Sequence, residues 1–600
     1  MTATLEAILD RHARQAHRLV QILHDVQDAL GWLPPEALAA VARGTGWPLA
    51  RVQGTANFYS FFHTQPAGEY RVRFSDNITD RMAGSAELMA QLCRQLWLEP
   101  GKLSEDGLVS VDATSCTGLC DQGPDLLVNG RAVTRMTPQR VDEMAGLIRE
   151  RVPLDAWPAD WFVVEDRICR RELLLDDPVA PGKVLRAALS HGAEGVLGEI
   201  LRSGLRGRGG AGFSTHAKWR ACRDAPGQTR YVVCNADEGE PGTFKDRVLL
   251  SSRFDALIDG MCVAALAVGA SQGFIYLRAE YRFLLERLRR RLSQRRAAGL
   301  LGRNILGKGF DFDIEIHLGA GAYICGEESA LIESLEGKPG KPRIRPPFPV
   351  THGYMGQPTI VNNVETLALA GLIALRGGEW FRGIGTPASS GTKVLSVSGD
   401  VARPGIYEVP FGVTLAEVLA EAGGSDAQAV TTAGAAGPCL AASEFDRRIC
   451  FEDVATGGSI MVFGPQRDLF DVAHNFAHFF QHESCGFCTP CRVGTSVNAR
   501  LLDKLANGRG SPYDLDEIRR MHHLMQGASH CGLGNTATVA IADLMDKFPA
   551  TFQRRLATPD YEPAFDLDAA LSQARQLTGR SDAGAHLQSN QAAMAREARP

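Results

Sequence analysis

The chain has 600 residues, of which 44% are hydrophobic and 22% charged, with a formal net charge of −5. A balance this near neutrality gives no electrostatic reason to expect nucleic acid or an anionic membrane surface as a partner. No run of about 18 apolar residues is present to span a bilayer, and the length admits about four domains.

The opening stretch MTATLEAILDRHARQAHRLV lacks the apolar core of a signal peptide and reads as an amphipathic helix, which predicts a cytoplasmic protein. Leu5, Ile8 and Leu9, then Leu19, Ile22 and Leu23, recur at helical spacing and predict a helical unit over 1–65, broken at Leu33-Pro34-Pro35. Residues 66–150 read as α/β. A strand YRVRF precedes a helix over Ala86–Trp97, then come a strand LVSVDAT, the loop CTGLCDQGP, a strand DLLVNG and a helix from Pro138. Residues 151–183 read as a connecting segment and 184–390 as a large α/β unit rich in glycine loops. Residues 391–470 carry short strands (KVLSVSG, GIYEVP, IMVFG) around the helix LAEVLAEAGG, a β-grasp-like pattern. Residues 471–575 read as helical and hold the densest cysteines, and 576–600 as a polar, mobile tail.

Of the 14 cysteines, Cys93, Cys169, Cys222, Cys234, Cys262, Cys325, Cys439 and Cys450 are scattered and read as small buried hydrophobes. The rest cluster. ESCGFCTPCRVGT places Cys485, Cys488 and Cys491 on one tight loop as C-x2-C-x2-C, and HCGLG offers Cys531 as a fourth thiolate. A triplet plus one favours a [4Fe–4S] cluster. A four-thiolate zinc site, which more often uses two separated C-x2-C knuckles, is the competitor. Cys116 and Cys120 in TSCTGLCDQGP resemble half of a second site.

GLRGRGGAGFSTHAKW has Gly207, Gly209 and Gly212 in G-x-G-x-x-G spacing, but the preceding GVLGEILRSG reads as a helix, so the dinucleotide-binding context of strand, loop and helix fails. What remains is a loop with five glycines between 204 and 212 whose backbone can approach a flat or phosphorylated ligand, with Arg206, Arg208 and Lys218 available to neutralise phosphate. The polar strand ends in VVCNADEGEPGTFKDR, AYICGEESALIESLEGK and TIVNNVETL each read alone as helix caps. Together they predict one binding crevice.

These motifs, in this order over 184–557, resemble the flavin-bearing NADH-binding subunit of respiratory complex I and the diaphorase subunits of NAD-reducing hydrogenases and formate dehydrogenases. GWLPPEALAAVA, VQGTANFYSFF and SCTGLCDQGP resemble the thioredoxin-like [2Fe–2S] subunit, so two subunits are fused, a feature of the large diaphorase subunits of cytoplasmic NAD-reducing [NiFe] hydrogenases.

The resemblance implies a multidomain α/β protein. It would comprise an N-terminal helical bundle, a thioredoxin-like domain, a Rossmann-like FMN/NAD domain, a β-grasp spacer and a C-terminal helical bundle around an iron–sulfur cluster. It implies FMN contacts from Gly207, Arg208, Gly209, Lys218, Asn235, Asp237, Gly326, Glu327, Asn362, Asn363 and Thr366. It implies an NAD(H) site at Phe213, Lys218, Glu240, Glu328 and Phe348, with Glu240 positioning the nicotinamide, and a [4Fe–4S] cluster on Cys485, Cys488, Cys491 and Cys531. Arg220-Ala221 depart from the family, which commonly has an aromatic there.

The implied activity is NADH:acceptor oxidoreduction in a hetero-oligomer with an iron–sulfur electron-transfer subunit and hydrogenase subunits. Hydrogen itself is activated elsewhere, because the chain lacks the paired C-x-x-C motifs of a [NiFe] site. The alternatives are the equivalent subunit of a formate dehydrogenase or complex I, and a non-catalytic scaffold. In the thioredoxin-like family an earlier C-x4-C pair completes the [2Fe–2S] ligands. Here Ser75 and Asp80 stand in those places, which predicts that this cluster is lost.

Overall fold

The computed structural model describes residues 2–176, 178–557 and 567–579. The tail expected to be mobile lies outside the described residues from 580 onward; before it, Leu567–Thr578 is a helix. Among the described residues no helix is long and apolar enough to cross a membrane.

The N-terminal unit is four helices, Thr2–Arg11, Leu19–Leu30, Pro35–Thr45 and Leu49–Phe58. The third starts at Pro35, the first helical position, where a missing N–H is harmless. The next unit is a four-stranded sheet, β1 (Tyr70–Ser75), β2 (Val109–Thr114), β3 (Leu126–Val128) and β4 (Arg131–Val133), in the order β2-β1-β3-β4. DLLVNG is therefore not one strand but the first arm of a hairpin. Asn129 (φ 50) and Gly130 (φ 81) turn the chain with two positive φ angles, the backbone a tight hairpin requires.

The segment 151–183 is more than a connection. Its Ile168–Arg170 forms β5, which pairs in parallel with a strand far downstream. The large unit holds β6 (Tyr231–Ala236), β7 (Gln272–Leu277), β8 (Gly302–Ile305), β9 (Phe310–Leu318) and β10 (Thr359–Asn363), in the order β10-β6-β7-β9-β8. All neighbours are parallel except β8, and Asn363 is paired beside Asn235. Chain direction across the sheet reverses at β6, since β7 lies on one side and β10 on the other. The carboxyl ends of β6 and β10 therefore open a crevice between diverging connections.

Two almost wholly buried helices, Phe254–Val268 and Val364–Arg376, cover this sheet. They cross at Gly260, where a Cβ would run into the Leu367 carbonyl, so only glycine permits that approach. The helix Lys183–Ser203 is broken at Gly192 (φ 68, ψ 176).

The following module is a six-stranded sheet of β11 (Thr392–Gly399), β12 (Gly405–Pro410), β13 (Ala429–Thr431), β14 (Cys439–Ala441) and β15 (Ser459–Phe463), completed by β5 in the order β14-β13-β15-β11-β12-β5. Helices Leu469–Glu483, Thr489–Ala506, Pro512–Ala528 and Val539–Lys547 finish the main body. Of the scattered cysteines all are buried except Cys169, which is exposed on β5.

The units are bolted together by polar contacts. Arg247 of the large unit forms a two-pronged ion pair with Asp121 of the CTGLCDQGP loop, at 2.8 and 3.0 Å, with both side chains fully buried. Arg278 donates to the Cys116 carbonyl at 2.7 Å. Glu483, two residues before Cys485, accepts from the Ser115 hydroxyl at 2.6 Å and from the Tyr323 N–H at 2.9 Å, tying three units at one carboxylate.

Candidate functional site

A cleft of about 510 Å³ opens at the carboxyl ends of β6 and β10. Its floor and walls include Gly209, Gly210 and Ala211 of the glycine loop, Asn235, Asp237 and Glu240 after β6, Gly326 and Glu327, and Asn363. Seven of the residues expected around FMN and NAD(H) thus meet in one cavity although they are spread over more than 150 positions of sequence. A larger open depression, about 660 Å³ between Arg289, Arg296 and Asp313, contains none of them.

Local folding explains the placement. Asn235 donates to the Gly326 carbonyl at 2.8 Å and accepts from the Asp237 N–H at 3.1 Å, so the end of β6 is laced to the GEES turn. Asn363 caps the helix Val364–Arg376 through the Glu365 N–H and donates to Asp246 at 2.6 Å. Glu327 caps the helix Glu328–Leu335 through the N–H groups of Ser329 and Ala330. Its capping role is structural, as such an acidic residue commonly is.

Several expected contacts are placed elsewhere. The Arg208 guanidinium turns away from the cleft, fully buried, and donates to the carbonyls of Arg206 (2.8 Å), Ser390 (2.7 Å) and Thr392 (3.0 Å). Its charge is spent on clamping the glycine loop to β11, which corrects the expectation that it neutralises a phosphate. Arg206 likewise donates to the Gly212 carbonyl and stacks on Phe451 at 4.0 Å.

Thr366 and Asn362 lie beneath the loop: Thr366 accepts from the Arg208 N–H at 2.9 Å, and Asn362 accepts from the Trp219 indole at 2.9 Å. Gly207 closes the loop by donating its N–H to the Phe213 carbonyl at 2.9 Å. Lys218 is ion-paired with Glu328 at 2.7 Å outside the cleft lining. Phe213 and Phe348 also stand outside the lining, 60% and 51% exposed. Arg220, at the departure from the family pattern, pairs with Glu194 at 2.7 Å.

The cleft also has walls that its motifs did not reveal. Ala433, Ala436, Thr456, Gly457 and Ser459 enter from the β-grasp-like module, which is therefore a wall and not only a spacer. Lys245 lines the cleft with its ammonium held by Asp246 (2.7 Å), Glu365 (3.1 Å) and Asn363 (3.2 Å). Glu240 accepts from the Tyr323 hydroxyl at 2.6 Å and from the Ala436 N–H at 3.0 Å, and burial pushes its carboxyl up to about 7.

The residues fit a flavin nucleotide. Asp237 has a buried carboxyl oxygen without a hydrogen-bond partner, open to a polar group of a ring, and burial holds its carboxyl well above the usual carboxylate range. Gly210, at φ +123, has open space where a Cβ would be, which leaves its backbone accessible.

Cys485, Cys488, Cys491 and Cys531 line one small cavity with Phe487, His530, Ile324 and Leu533. Cys485, Cys488 and Cys531 all lie close enough to act on the Cys491 thiol, which burial chiefly pushes up, and Ser484 is 3.3 Å from the Cys491 sulfur. Cys488 is the residue before the helix Thr489–Ala506, and Cys491 lies in that helix's first turn. Four converging sulfurs suit a cubane cluster or a zinc ion equally in number.

At the second cysteine pair, Cys116 and Cys120 have sulfurs 3.5 Å apart. Ser75 donates to Asp80 at 2.7 Å and Asn77 donates to the Cys120 sulfur at 3.2 Å. Asp80 is buried, and burial, Asp125 and Cys116 push its carboxyl far up.

Family models match the chain in four places. They are a thioredoxin-like [2Fe-2S] ferredoxin over 5–149, a Nuo51 FMN-binding domain over 200–370, an SLBB domain over 394–433 and an NADH-ubiquinone oxidoreductase-F iron-sulfur binding region over 471–555. The last favours iron–sulfur over zinc at Cys485–Cys531. The first establishes the thioredoxin-like module, not the loss of its cluster.

The chain is 42% identical over 587 residues to the alpha subunit of the NAD-reducing hydrogenase HoxS of Cupriavidus necator, covering 95% of this chain and 98% of that protein. It is also 42% identical to an NADH-quinone oxidoreductase subunit of Aquifex aeolicus, over 62% of this chain and 88% of that one. Among solved structures, an air-oxidized NAD+-reducing [NiFe]-hydrogenase superposes with a TM-score of 0.86 at 43% identity, covering 94% of this chain and 97% of that one. With similarity running nearly end to end, the chain belongs to the family of the alpha subunit of NAD-reducing hydrogenase.

Proposed function

We propose that this chain is the diaphorase subunit of a cytoplasmic NAD-reducing hydrogenase, exchanging electrons between NAD(H) and a [4Fe–4S] cluster with FMN as the intermediary. The observation that carries this reading is a shared wall: Ile324 and Leu533 line both the nucleotide cleft and the cysteine cradle, so one layer of side chains separates the two. FMN in the cleft would supply the exchange between two-electron hydride chemistry and one-electron transfer, for which the four thiolates would hold the carrier.

The protein's own part is binding and orientation. The backbone of Gly207 to Ala211 would receive the phosphate end, resting on Thr366 and Asn362. The unpartnered Asp237 oxygen would hydrogen-bond to the ring, beside Asn235, Gly326, Glu327 and Asn363. Glu240, held by Tyr323 and Ala436, would accept from the nicotinamide ribose or amide. Phe213 and Phe348 would stack on adenine at the rim, near the Lys218–Glu328 pair.

Phe487 and Val493, each 47% exposed beside the cluster cysteines, offer apolar contacts to an electron-transfer subunit, with hydrogenase subunits beyond it. Fourteen free cysteines suit a reducing compartment. The thioredoxin-like module is proposed to carry no [2Fe–2S] cluster: Ser75 bonds to Asp80, Asn77 bonds to Cys120, which faces Cys116, and neither Ser75 nor Asp80 supplies a thiolate.

The test is NADH oxidation by the isolated FMN- and iron-loaded chain with an artificial electron acceptor. Turnover supports the reading, and a loaded, folded chain that leaves NADH intact overturns it. Co-purification assigns the partner: hydrogenase subunits support the proposal, whereas a molybdenum subunit or a membrane complex overturns that part of it.

A further inference from the structure

A cluster of metal-ligand side chains lies outside the cleft and the cysteine cradle. His474 and His478 project from one face of the helix Leu469–Glu483, one turn apart, toward Asp503 on the antiparallel helix Thr489–Ala506. Both Nε2 atoms lie 2.8 Å from the same oxygen, Oδ1 of Asp503. One ligand atom from each residue falls within 4.8 Å of the others. Among the described residues Asp503 has no Lys or Arg in ion-pair reach, so its carboxylate is faced by two imidazoles alone. We propose that His474, His478 and Asp503 form a site for a divalent transition metal of the zinc class, stapling together the two helices that flank the cluster loop.

The donor set selects the metal. Two imidazole nitrogens and one carboxylate oxygen are borderline ligands, suited to Zn²⁺ and poorly matched to Ca²⁺ or Mg²⁺, which take oxygen shells. A tetrahedral zinc with bonds of about 2.0–2.1 Å spaces its ligands roughly 3.3 Å apart, so the present N···O separations need to open by about half an ångström. Rotamer adjustment covers that.

The three side chains are 27%, 40% and 45% exposed, which gives an ion an entry path and leaves the fourth position to water. The His474 ring is also held by Phe470, stacked at 6.0 Å and 22°. Without metal, each ring must carry its proton on Nε2 to bond Asp503. With metal, the neutral ring carries that proton on Nδ1 instead and Nε2 becomes the ligand.

The site is separate from the cluster. Asp503 is about 18 Å along its helix from Cys491. Its mechanical connection is direct, because the loop between the two stapled helices carries Cys485 and Cys488, and Cys491 sits in the first turn of the second helix. An ion bound here reduces opening of that hairpin and holds the cysteine triplet in place. At a concentration ten times its Kd, zinc raises the protection factor of the hairpin amides about tenfold.

The experiment uses the full chain with FMN and iron in place. It is treated with a mild zinc chelator, checked for unchanged iron, and equilibrated with Zn²⁺ alone. Metal analysis then reads zinc and iron per chain, and hydrogen exchange reads residues 469–506. The expected result is about one zinc per chain and slowed hairpin exchange, with zinc affinity weakened roughly a hundredfold in His474→Gln/His478→Gln while iron is unchanged. Zinc that the wild-type chain does not retain, or that the double variant retains equally, overturns the site. If the variant loses iron as well, zinc-edge X-ray absorption on the wild-type chain decides. A shell of nitrogen and oxygen with imidazole scattering supports the proposal, and sulfur neighbours overturn it.

Discussion

Replacing Glu240 by Gln tests the reading of the cleft most directly, because the variant changes charge and almost nothing else. The Gln carbonyl keeps the Ala436 N–H bond and its amide can donate to the Tyr323 oxygen, so both present contacts survive. Burial raises the Glu240 carboxyl from its ordinary 4.5 to about 7, so near neutrality it is poised between acid and carboxylate. A hydrogen bond to a charged acceptor contributes about 1.5–3 kcal/mol against 0.5–1.5 for a neutral one. The difference, about 1 kcal/mol, corresponds to roughly a fivefold change in KM for NADH.

The sign follows from the direction of the shift. As pH rises through about 7, Glu240 ionises, accepts more strongly, and the wild-type KM for NADH falls. Glu240→Gln stays high and flat. Stability moves oppositely. The fold prefers the neutral acid, so this stabilisation is complete below the unfolded value of 4.5 and is lost as pH rises through about 7. The loss is roughly 3 kcal/mol, so Glu240→Gln unfolds at a higher temperature than wild type at pH 8 and not at pH 4. The assay is NADH titration with an artificial acceptor from pH 6 to 8, with flavin content measured in parallel. A flat wild-type profile, or a variant whose flavin loss equals its KM change, would refute nicotinamide positioning by Glu240.

Three further outcomes are expected. Asp121→Ala strands the fully buried Arg247 guanidinium and weakens docking of the thioredoxin-like unit by about 3–5 kcal/mol, read as a lower urea midpoint and new proteolysis between the units; Asp121→Leu/Arg247→Met is less damaged than either single change. Iron analysis of the purified wild-type chain returns about four atoms per chain, and Ser75→Cys/Asp80→Cys raises it toward about six with a new reduced-state EPR signal; six in the wild type would contradict loss of the second cluster. Arg208→Met removes three bonds to backbone carbonyls and lowers the unfolding temperature, while the flavin Kd of the folded fraction changes less than about threefold; a large selective loss of flavin would return Arg208 to the phosphate.

Features written in consecutive residues were legible before the fold. The C-x2-C-x2-C triplet, the polar ends of β6 and β10, and the Cys116/Cys120 pair each depend on spacing within one short element. Such spacing determines which donors share a loop, whatever the rest of the chain does. The helix before the glycine loop was legible for the same reason, from its local periodicity, and it excluded the standard dinucleotide arrangement.

Direction and partnership were not legible. Arg208 and Lys245 are both cations beside acidic or glycine-rich motifs, yet only the second lines the cleft, because β11 offers carbonyls to the first and Asp246 and Glu365 hold the second. The β-grasp-like wall, β5 at the edge of a distant sheet, the three-way grip of Glu483 and the two histidines facing Asp503 all join residues far apart in the chain.

The sequence by itself determined the inventory: a glycine loop, a crevice of polar strand ends, four clustered cysteines and a further cysteine pair in a thioredoxin-like module. Only the tertiary structure decided that the crevice and the thiolates stand on either side of one layer, Ile324 and Leu533. The reason is physical. Ligand type is carried by each side chain, but separation between two sites is set by packing of elements whose contacts are long-range and leave no periodic trace in the chain.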